Sequence, residues 1–392
     1  MKVKLGEIVG KVISGEWGND DEIGNGIPVL RTTNFTNDGM IDFTNVVTRS
    51  ITKKDISSKY LQTGDIIIEK SGGSDKQPVG RVVYFEGTSN TYLFNNFTGL
   101  LRIKDSLQWD SKYLFYTLFA NYLKGGTLQY QNKTTGLHNL KTEQFVKNFE
   151  VNKIDIMEQR HIAAVLDKVS DLIALRKKQL AKLDELVKAR FVEMFGDPLD
   201  IQTNWENSTI GEKFSVTSGG TPATEKDEYW ENGKIPWIGS NMCQNVILYE
   251  NDGKYITEAG YSNSSAKWFY KGTVLIALVG ATIGKTALLR FDTTTNQNIA
   301  AIDVNSNKNF VSEFVFYHLQ MLYNKFTEIG GDKFKMANQG FIRQLPLICP
   351  PVLLQQQFAD FVEQVEKQKK MIKQSLEKLE TLKKSLMQEY LG

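Results

Sequence analysis

The sequence predicts an α+β protein made of two tandem mixed α/β heads joined by two long helices. The helices are expected to pack as an antiparallel coiled coil, so that a pseudo-two-fold internal repeat relates the two halves of the chain. Three observations predict this fold. The sequence consists of two similar copies, one after the other. The first part of each copy has strand-like patterning, and the second part has an unbroken heptad pattern.

The internal repeat consists of short matched segments that recur in the same order. "VGRVVYF" (79–85) returns as "IGKTALLRF" (283–291), and "SKYLFYTL" (111–118) returns as "SEFVFYHL" (312–319). The offset drifts along the chain, as small insertions in surface loops would produce. Each copy spans about 196 residues, far more than one unit of a solenoid, so the repeat indicates a duplicated domain.

The first part of each copy is predicted to fold as strands and hairpins. Turn pairs such as Asp38-Gly39 and Asn232-Gly233 favour tight hairpins between short β-branched and aromatic runs. One helix is expected over 111–123 and its counterpart over 312–325. The predicted domains are a first head (1–155), a central long helix (156–196), a second head (197–351) and a C-terminal long helix (352–392).

The two long helices share one heptad register. From Glu158 to Phe195 the chain has neither Gly nor Pro, and apolar residues step by four and three, with the same positions recurring 196 residues later. A 3.5-residue period sustained over more than four heptads is typical of a coiled coil, although plain core helices remain the alternative. The apolar seam is predicted to contain Ile162, Leu166, Val169, Ile173, Leu180, Leu183, Val187, Val362, Val365, Ile372, Leu376, Leu379 and Leu386.

Four seam positions are charged, and the other copy has an apolar residue at each corresponding position: Arg176, Arg190, Lys369 and Lys383. We expect their charged ends to extend outwards along the helices. If two equivalent helices of one chain pack antiparallel, their heads are related by a pseudo-two-fold axis, as the strands of DNA are. Helices of about 55 Å would hold such heads more than one DNA turn apart, so the chain would imitate a dimer that reads two half-sites.

The repeated segments also resemble a known family. "GDIIIEKSGG" with "VGRVVYF", its counterpart "GTVLIALVGATIGKTALLRF", and the helix start "MEQRHIAAVLD" (157–167) occur in the order typical of Type I restriction–modification specificity subunits. The resemblance covers essentially the whole chain. The first copy departs from it, because the proline-rich lead-in "LPLICPP" (345–351) is replaced by "NFEVNKID" (148–155).

The resemblance implies a non-catalytic subunit. Its heads would be target recognition domains that read the two parts of a split double-stranded DNA target, and its helices would set the spacer. Two methyltransferase subunits would bind the helices, and restriction and translocase subunits would join them. Adenine methylation, S-adenosylmethionine, ATP and Mg²⁺ would belong to those partners, with no cofactor on this chain.

The composition and the remaining motifs agree with a chain that lacks its own active site. A net charge of +2 permits DNA binding without requiring it. Cys243 and Cys349 form no CxxC pair, and no apolar run reaches the roughly 18 residues of a membrane span, so a cytoplasmic protein without membrane contact is expected.

"GATIGKT" (280–286) lacks the first glycine of a P-loop and leads into a strand-like run. The histidines, His138, His161 and His318, are too scattered for a local metal motif, and His161, beside the seam, and His318, within a helix, are expected to be structural.

DNA contacts are predicted in three pairs of matched loops. Arg, Lys, Asn and Gln side chains are the usual readers of base edges and phosphates. The loops are 31–35, 70–81 and 129–139 in the first head, and 239–245, 278–285 and 330–340 in the second. The residues expected to bind DNA are Arg31, Lys70, Lys76, Arg81, Lys133, His138, Asn241, Thr282, Lys285, Lys333, Lys335 and Asn338.

Corresponding loops differ between the heads, so we expect an asymmetric target with two unrelated half-sites. Three alternatives remain. The chain could serve another methyltransferase-based defence system, it could be a coiled-coil adaptor whose heads bind protein, or it could be a single-chain enzyme. Salt dependence separates DNA binding from protein binding, because phosphate contacts weaken steeply with added salt.

Overall fold

The computed structural model describes residues 1–53, 55–75, 77–134, 137–199, 205–327 and 336–392, and for residues 133, 134 and 327 it describes the backbone alone. The chain divides into two compact units. The first unit contains residues 1–176 and 375–392, and the second contains residues 177–374. The α+β fold class with an internal repeat is confirmed by the order of the helices and strands.

The first head is a set of short strands around helix α2. Its helices are α1 (Leu5–Val9), α2 (Ser111–Leu123) and α3 (Thr142–Asn148), followed by the long helix α4 (Ile156–Phe195). Its strands are β1 (Lys2–Lys4), β2 (Ile13–Ser14), β3 (Asn19–Asp20), β4 (Ile27–Leu30), β5 (Val47–Ser50), β6 (Ile66–Glu69), β7 (Ser71–Gly73), β8 (Val82–Tyr84), β9 (Leu93–Phe94), β10 (Thr98–Leu101), β11 (Gln131–Thr134), β12 (Leu137–Leu140) and β13 (Glu150–Asn152).

A four-stranded antiparallel sheet in the order β2-β10-β6-β8 lies at the centre of the first head. Successive side chains of a strand point to opposite faces of a sheet. Ile66 and Ile68 of β6 therefore pack with α2 in one apolar cluster, whereas Ile67 packs in a second cluster with Leu30 and Phe94. The second cluster lies beside the sheet β3-β5-β4-β9.

The second head repeats this plan with longer strands. Its helices are α5 (Ile210–Lys213), α6 (Glu258–Ser262), α7 (Ser312–Met321), α8 (Tyr323–Thr327) and α9 (Gln339–Gln344), followed by α10 (Val352–Leu391). Its strands are β14 (Glu206–Thr209), β15 (Ser215–Ser218), β16 (Ile235–Ile238), β17 (Val246–Leu248), β18 (Tyr255–Ile256), β19 (Trp268–Phe269), β20 (Val274–Ala277), β21 (Thr286–Leu289), β22 (Thr293–Thr295), β23 (Ile299–Asp303) and β24 (Pro346–Cys349).

The central sheet of the second head has the order β15-β23-β20-β21-β17. Strand β20 divides its side chains as β6 does: Val274 and Ile276 face the cluster around α7, whereas Leu275 and Ala277 face the other cluster. The helix predicted over 111–123 is confirmed with the same bounds. Its counterpart ends earlier than predicted, at Met321, and α8 follows as a separate helix.

Each long helix contains 40 residues. At the start of α4 the Asp155 carboxylate accepts a hydrogen bond of 2.8 Å from the Met157 amide, and at its end Gly196 adopts a φ of 81° that favours glycine. Every predicted seam residue is buried or half-buried. Those nearest the heads, such as Leu166 and Val362, are fully buried. Among the described residues, no helix has both the length and the apolar character needed to cross a membrane.

The charged seam position Lys369 differs from our expectation. Its side chain is only 13% exposed and lies 2.6 Å from carboxylate oxygens of both Asp184 and Glu366, instead of extending to solvent. Burial alone would lower the pKa of Lys369, but the two carboxylates raise it, so the ammonium stays charged. A largely covered ammonium is stabilised by paired carboxylates, which an apolar neighbour cannot supply.

A buried glutamine joins each head to its long helix in the same way. The Oε1 atom of Gln159 accepts a hydrogen bond of 2.9 Å from the Asp110 amide just before α2, and its Nε2 atom donates to the carbonyls of Gln108 and Ile154. Gln355 repeats this arrangement in the second unit, with the Val311 amide and the carbonyls of Asn309 and Pro350. The two glutamines are 196 residues apart, so the repeat extends to individual hydrogen bonds.

Candidate nucleic-acid interface

In the first head, the antiparallel order of the central sheet collects several loops at one end. Strand β10 pairs Gly99 with Ser14 of β2 and Thr98 with Glu69 of β6, while β6 pairs Ile68 with Val82 of β8. The ends of β2 and β6 and the starts of β10 and β8 therefore lie side by side. We call this end the first loop edge; among the described residues it contains 14–16, 31–35, 70–75, 77–81, 95–97, 131–134 and 137–140.

Backbone hydrogen bonds hold the loops of the first loop edge together. The Lys70 amide donates to the Phe97 carbonyl at 2.8 Å, and the Leu140 amide donates to the Lys70 carbonyl at 2.8 Å. The Asn95 amide donates to the Leu30 carbonyl at 2.9 Å, which ties the loop after β4 to the same edge. The structure thus brings together the described parts of the three loops that the sequence predicted in this head.

The second head has a matching loop edge, formed by residues 218–221, 239–245, 278–285, 296–298 and 336–339. The Leu278 amide donates to the Asn298 carbonyl at 2.9 Å, and the Ala337 amide donates to the Leu278 carbonyl at 2.9 Å. The Asn296 amide donates to the Ile238 carbonyl at 3.1 Å. Each of these bonds has its counterpart at the first loop edge.

Arg81 is buried inside the first loop edge. Its guanidinium donates to the Phe35 carbonyl at 3.0 Å and the Thr32 carbonyl at 3.1 Å, and it lies 3.4 Å from the carboxylate of Glu69. Burial raises the pKa of Glu69, and the charge of Arg81 opposes that rise. These contacts give Arg81 a structural role, holding the 31–35 loop against β6, and they argue against a direct base contact.

The corresponding cation of the second head, Lys285, is half-buried and has a different partner. Ala277 takes the place of Glu69, so no carboxylate is matched to it, and the Nζ atom of Lys285 donates instead to Oε1 of Gln244 at 2.8 Å. Asn241 is exposed beside this pair, and Thr282 is half-buried in the turn between β20 and β21. Asn338 accepts a hydrogen bond of 2.9 Å from the Phe341 amide, so its side chain caps α9.

The other predicted residues occupy different positions at the first loop edge. Lys70 is half-buried, and its Nζ atom donates to Oγ of Ser14 at 3.1 Å. Burial, together with the charge of Lys59, lowers the pKa of Lys70.

Arg31 is half-buried, and His138 is buried with Nδ1 3.2 Å from Oε1 of Gln131. Lys133 pairs with His138 in the β11-β12 register. The predicted contacts that lie outside the described residues are Lys76, Lys333 and Lys335.

Sequence reasoning missed two exposed amides at the loop edges. Asn96 lies in the loop before β10, and Gln297 lies at the same place before β23. The signal was present, because "NNFTGLLRI" (95–103) aligns with "NQNIAAIDV" (296–304).

The features that suggested chemistry have structural explanations. "GATIGKT" forms a turn between antiparallel strands β20 and β21, whereas a P-loop leads into a helix. His318 is fully buried, with Nε2 2.8 Å from the Pro346 carbonyl, and burial lowers its pKa to about 4. Across the described ranges, no cluster of three His, Cys, Asp or Glu side chains is arranged to hold a metal ion.

The fold defines a class of protein: two α/β heads of one plan, each followed by a 40-residue helix, with matched loop edges. The sequence profile of the Type I restriction modification DNA specificity domain matches residues 1–185 and again 202–381. The chain therefore belongs to the family of Type I restriction–modification specificity subunits, as its repeated motifs predicted.

Individual relatives agree with this assignment. The chain is 23% identical to the putative type I restriction enzyme MjaX specificity subunit of Methanocaldococcus jannaschii, over 94% of this chain and 87% of that protein. It is 28% identical to the EcoR124I/EcoR124II specificity subunit of Escherichia coli, over 44% of this chain and 45% of that protein.

Solved structures share the fold. One is the crystal structure of a Type I restriction–modification S subunit from M. genitalium. The match spans 99% of this chain and 94% of that chain, with a TM-score of 0.58 and 16% identity. Another is a chain from a study of complex assembly and conformational transition of the type I R-M system. The match spans 99% of this chain and 96% of that chain, with a TM-score of 0.55 and 16% identity.

Proposed function

We propose that this chain reads an asymmetric, two-part DNA target for a Type I restriction–modification complex. Each head reads one half-site with its loop edge, and the chain itself performs no catalysis. The observation that carries the proposal is the duplicated loop edge: the same backbone hydrogen bonds recur in both heads, while the side chains between them differ. A matched scaffold with unlike side chains is what a reader of two unlike half-sites requires.

The long helices provide the spacer and the docking surface in this proposal. A 40-residue helix is about 60 Å long, which exceeds one turn of DNA. Beside the seam, both helices expose large apolar side chains suited to a partner's helices: Leu172, Leu175, Leu186, Met371 and Leu382. We propose that two methyltransferase subunits dock there and that restriction and translocase subunits join them.

The first unit offers a further feature for such docking. A cavity of about 540 Å³ lies among α2, α4 and α10, with Phe119, Leu123, Ile173 and Met387 in its wall and Lys383 at its margin. An apolar side chain of a docked methyltransferase would fit this space. S-adenosylmethionine, ATP and Mg²⁺ belong to the partner subunits in this proposal, and the assembled complex works in the cytoplasm.

Salt dependence tests DNA reading against the protein-binding adaptor. The complex of this chain with its methyltransferase subunits is titrated against labelled duplex DNA by fluorescence anisotropy between 50 and 200 mM salt. With about six phosphate contacts, the affinity should fall roughly a thousandfold over this range. Affinity that is absent at low salt, or that does not change with salt, contradicts the proposal and favours the adaptor.

Single lysine variants localise the contacts. Lys70→Gln and Lys285→Gln should each reduce the salt slope by about 1, because each removes one phosphate contact. Lys308→Gln is the matched control, since Lys308 is exposed beyond Asp303, at the opposite end of β23 from the loop edge. Equal changes of the salt slope in all three variants would show that Lys70 and Lys285 do not contact the DNA phosphates any more than Lys308 does.

A further inference from the structure

The loop that precedes β10 in the first head has the same surroundings as the loop that precedes β23 in the second head. In the first head this loop (95–97) lies between the loop after β2 and the loop after β6, because β10 pairs with both strands. In the second head the loop 296–298 lies between the loops after β15 and β20, because β23 pairs with both strands. In each loop edge it is therefore flanked on both sides.

Close backbone approach fixes the position of this loop. A Cβ atom at Gly15 would meet the Phe94 carbonyl oxygen closer than van der Waals contact permits, and one at Gly219 would meet the Thr295 carbonyl oxygen in the same way. Together with the matched amide–carbonyl bonds described above, these glycines hold the loop in one place in both heads.

At the tip of this fixed loop each head exposes one amide side chain, Asn96 in the first and Gln297 in the second. Their neighbours do not match: Phe97 in the first head aligns with Asn298 in the second. In the second head Oγ1 of Thr221 donates to Oε1 of Gln297 at 2.6 Å and fixes the orientation of that amide. A fixed amide at an exposed tip is prepared for directional recognition.

We propose that Asn96 and Gln297 are matched base-reading residues, and that each pairs with one adenine in its own half-site. A side-chain amide carries an acceptor and a donor side by side, which complement N6–H and N7 of adenine in the major groove. The proposal rests on the DNA-reading function proposed above and adds to it the residue and the base. The two half-sites then share one adenine contact and differ elsewhere, where the loops differ.

Base-by-base binding measurements test the assignment. The methylated motif is first read from host DNA by single-molecule sequencing, and duplexes are made with each of its base pairs replaced in turn. The wild-type complex should discriminate against replacement of one A·T pair in each half by roughly 5- to 150-fold. Gln297→Ala should abolish this discrimination at one A·T pair of one half only, and Asn96→Ala at one A·T pair of the other half.

Further variants keep the test decisive. Gln297→Glu retains the side-chain length and the Thr221 hydrogen bond but removes the amide donor, so it should lose the same discrimination even if Gln297→Ala is unstable. Thr221 acts as a positioning residue: Thr221→Val should weaken discrimination at that same base pair, and Thr221→Ser should preserve it. Asn25→Ala and Asn309→Ala are controls, because these exposed residues lie beyond the opposite ends of β4 and β23.

The outcomes separate the two proposals. If the wild-type complex yields a split motif and the Gln297 and Asn96 variants keep full discrimination at every base pair, the base-reading assignment is overturned while DNA reading stands. If they lose discrimination only at G·C pairs, the adenine assignment is wrong. If the wild-type complex yields no motif and binds no duplex, the DNA-reading function itself fails.

Discussion

One aligned position shows how the two heads have diverged at the level of a residue. Arg81 and Lys285 align in the repeat, yet Arg81 is buried against Glu69, whereas Lys285 is half-buried beside Gln244. The difference follows from one partner, because Glu69 aligns with Ala277. A fully buried cation needs a buried anion, and Lys285, which lacks the counterpart of Glu69, is less deeply buried than Arg81.

Removing Glu69 should therefore destabilise the first head. Glu69→Ala leaves the buried guanidinium of Arg81 without its counter-charge, so we expect the free energy of unfolding to fall by about 3–5 kcal/mol. The double variant Glu69→Ala/Arg81→Leu should recover much of this loss, because it removes the unpaired charge as well. Urea unfolding followed by circular dichroism measures both; a double variant as unstable as the single one would contradict this explanation.

His318 should make the stability of the second head depend on pH. Its folded pKa is about 4, against 6.5 for an ordinary histidine, because the ring is fully buried. Between these values the unfolded chain binds a proton that the folded chain does not. The free energy of unfolding should therefore fall as pH drops from 6.5 to 4, by about 3 kcal/mol in total.

Tryptophan fluorescence follows this effect, since Trp205, Trp230, Trp237 and Trp268 all lie in the second head. His318→Gln keeps a donor for the Pro346 carbonyl and removes the titrating ring. It should flatten the dependence between pH 4 and 6.5. A variant that retains the wild-type slope would assign the effect to another group.

At the level of the element, the junction between head and long helix depends on one buried glutamine in each unit. Gln159→Ala or Gln355→Ala deprives three backbone groups of their partner, so each should lower the free energy of unfolding by about 3 kcal/mol. Gln357→Ala is the control on the same helix, because Gln357 is exposed, and it should change stability by less than about 0.5 kcal/mol. Urea unfolding distinguishes these outcomes, and equal effects at Gln355 and Gln357 would contradict the proposed role.

The sequence predicted the elements better than it predicted their internal contacts. The heptad spacing located the long helices, and glycine and turn residues located hairpins, because both signals are local. The paired carboxylates around Lys369 were not foreseen, since they come from two different helices. The separate helix α8 was missed because the apolar pattern continues through Leu322 and Tyr323.

The sequence predicted candidate loops, and whether their residues contact DNA stays a prediction. The described parts of the three loops of the first head lie at one end of its central sheet, because strand pairing and backbone hydrogen bonds place them there. Burial of Arg81 and the capping role of Asn338 depend on tertiary contacts that no local pattern encodes. Asn96 and Gln297 could have been found by aligning the two copies.

At the level of the whole molecule, one scaffold carries two different sets of side chains. Duplication preserved the hydrogen bonds that build each loop edge, together with the glutamine at each helix junction. Other side chains at the loop edges differ between the heads: Lys70 aligns with Leu278, and Phe97 aligns with Asn298. A chain of this kind should direct its partners to a target whose two halves are unlike.

Methylation of the host DNA tests this claim most directly. Cells carrying the chain and its methyltransferase partner are compared with cells in which only this chain is deleted, and methyladenine is mapped by single-molecule sequencing. We predict a split motif with two unlike halves and a fixed spacer, which disappears with the chain. Methylation that persists without the chain, or a motif with two identical halves, would contradict the account.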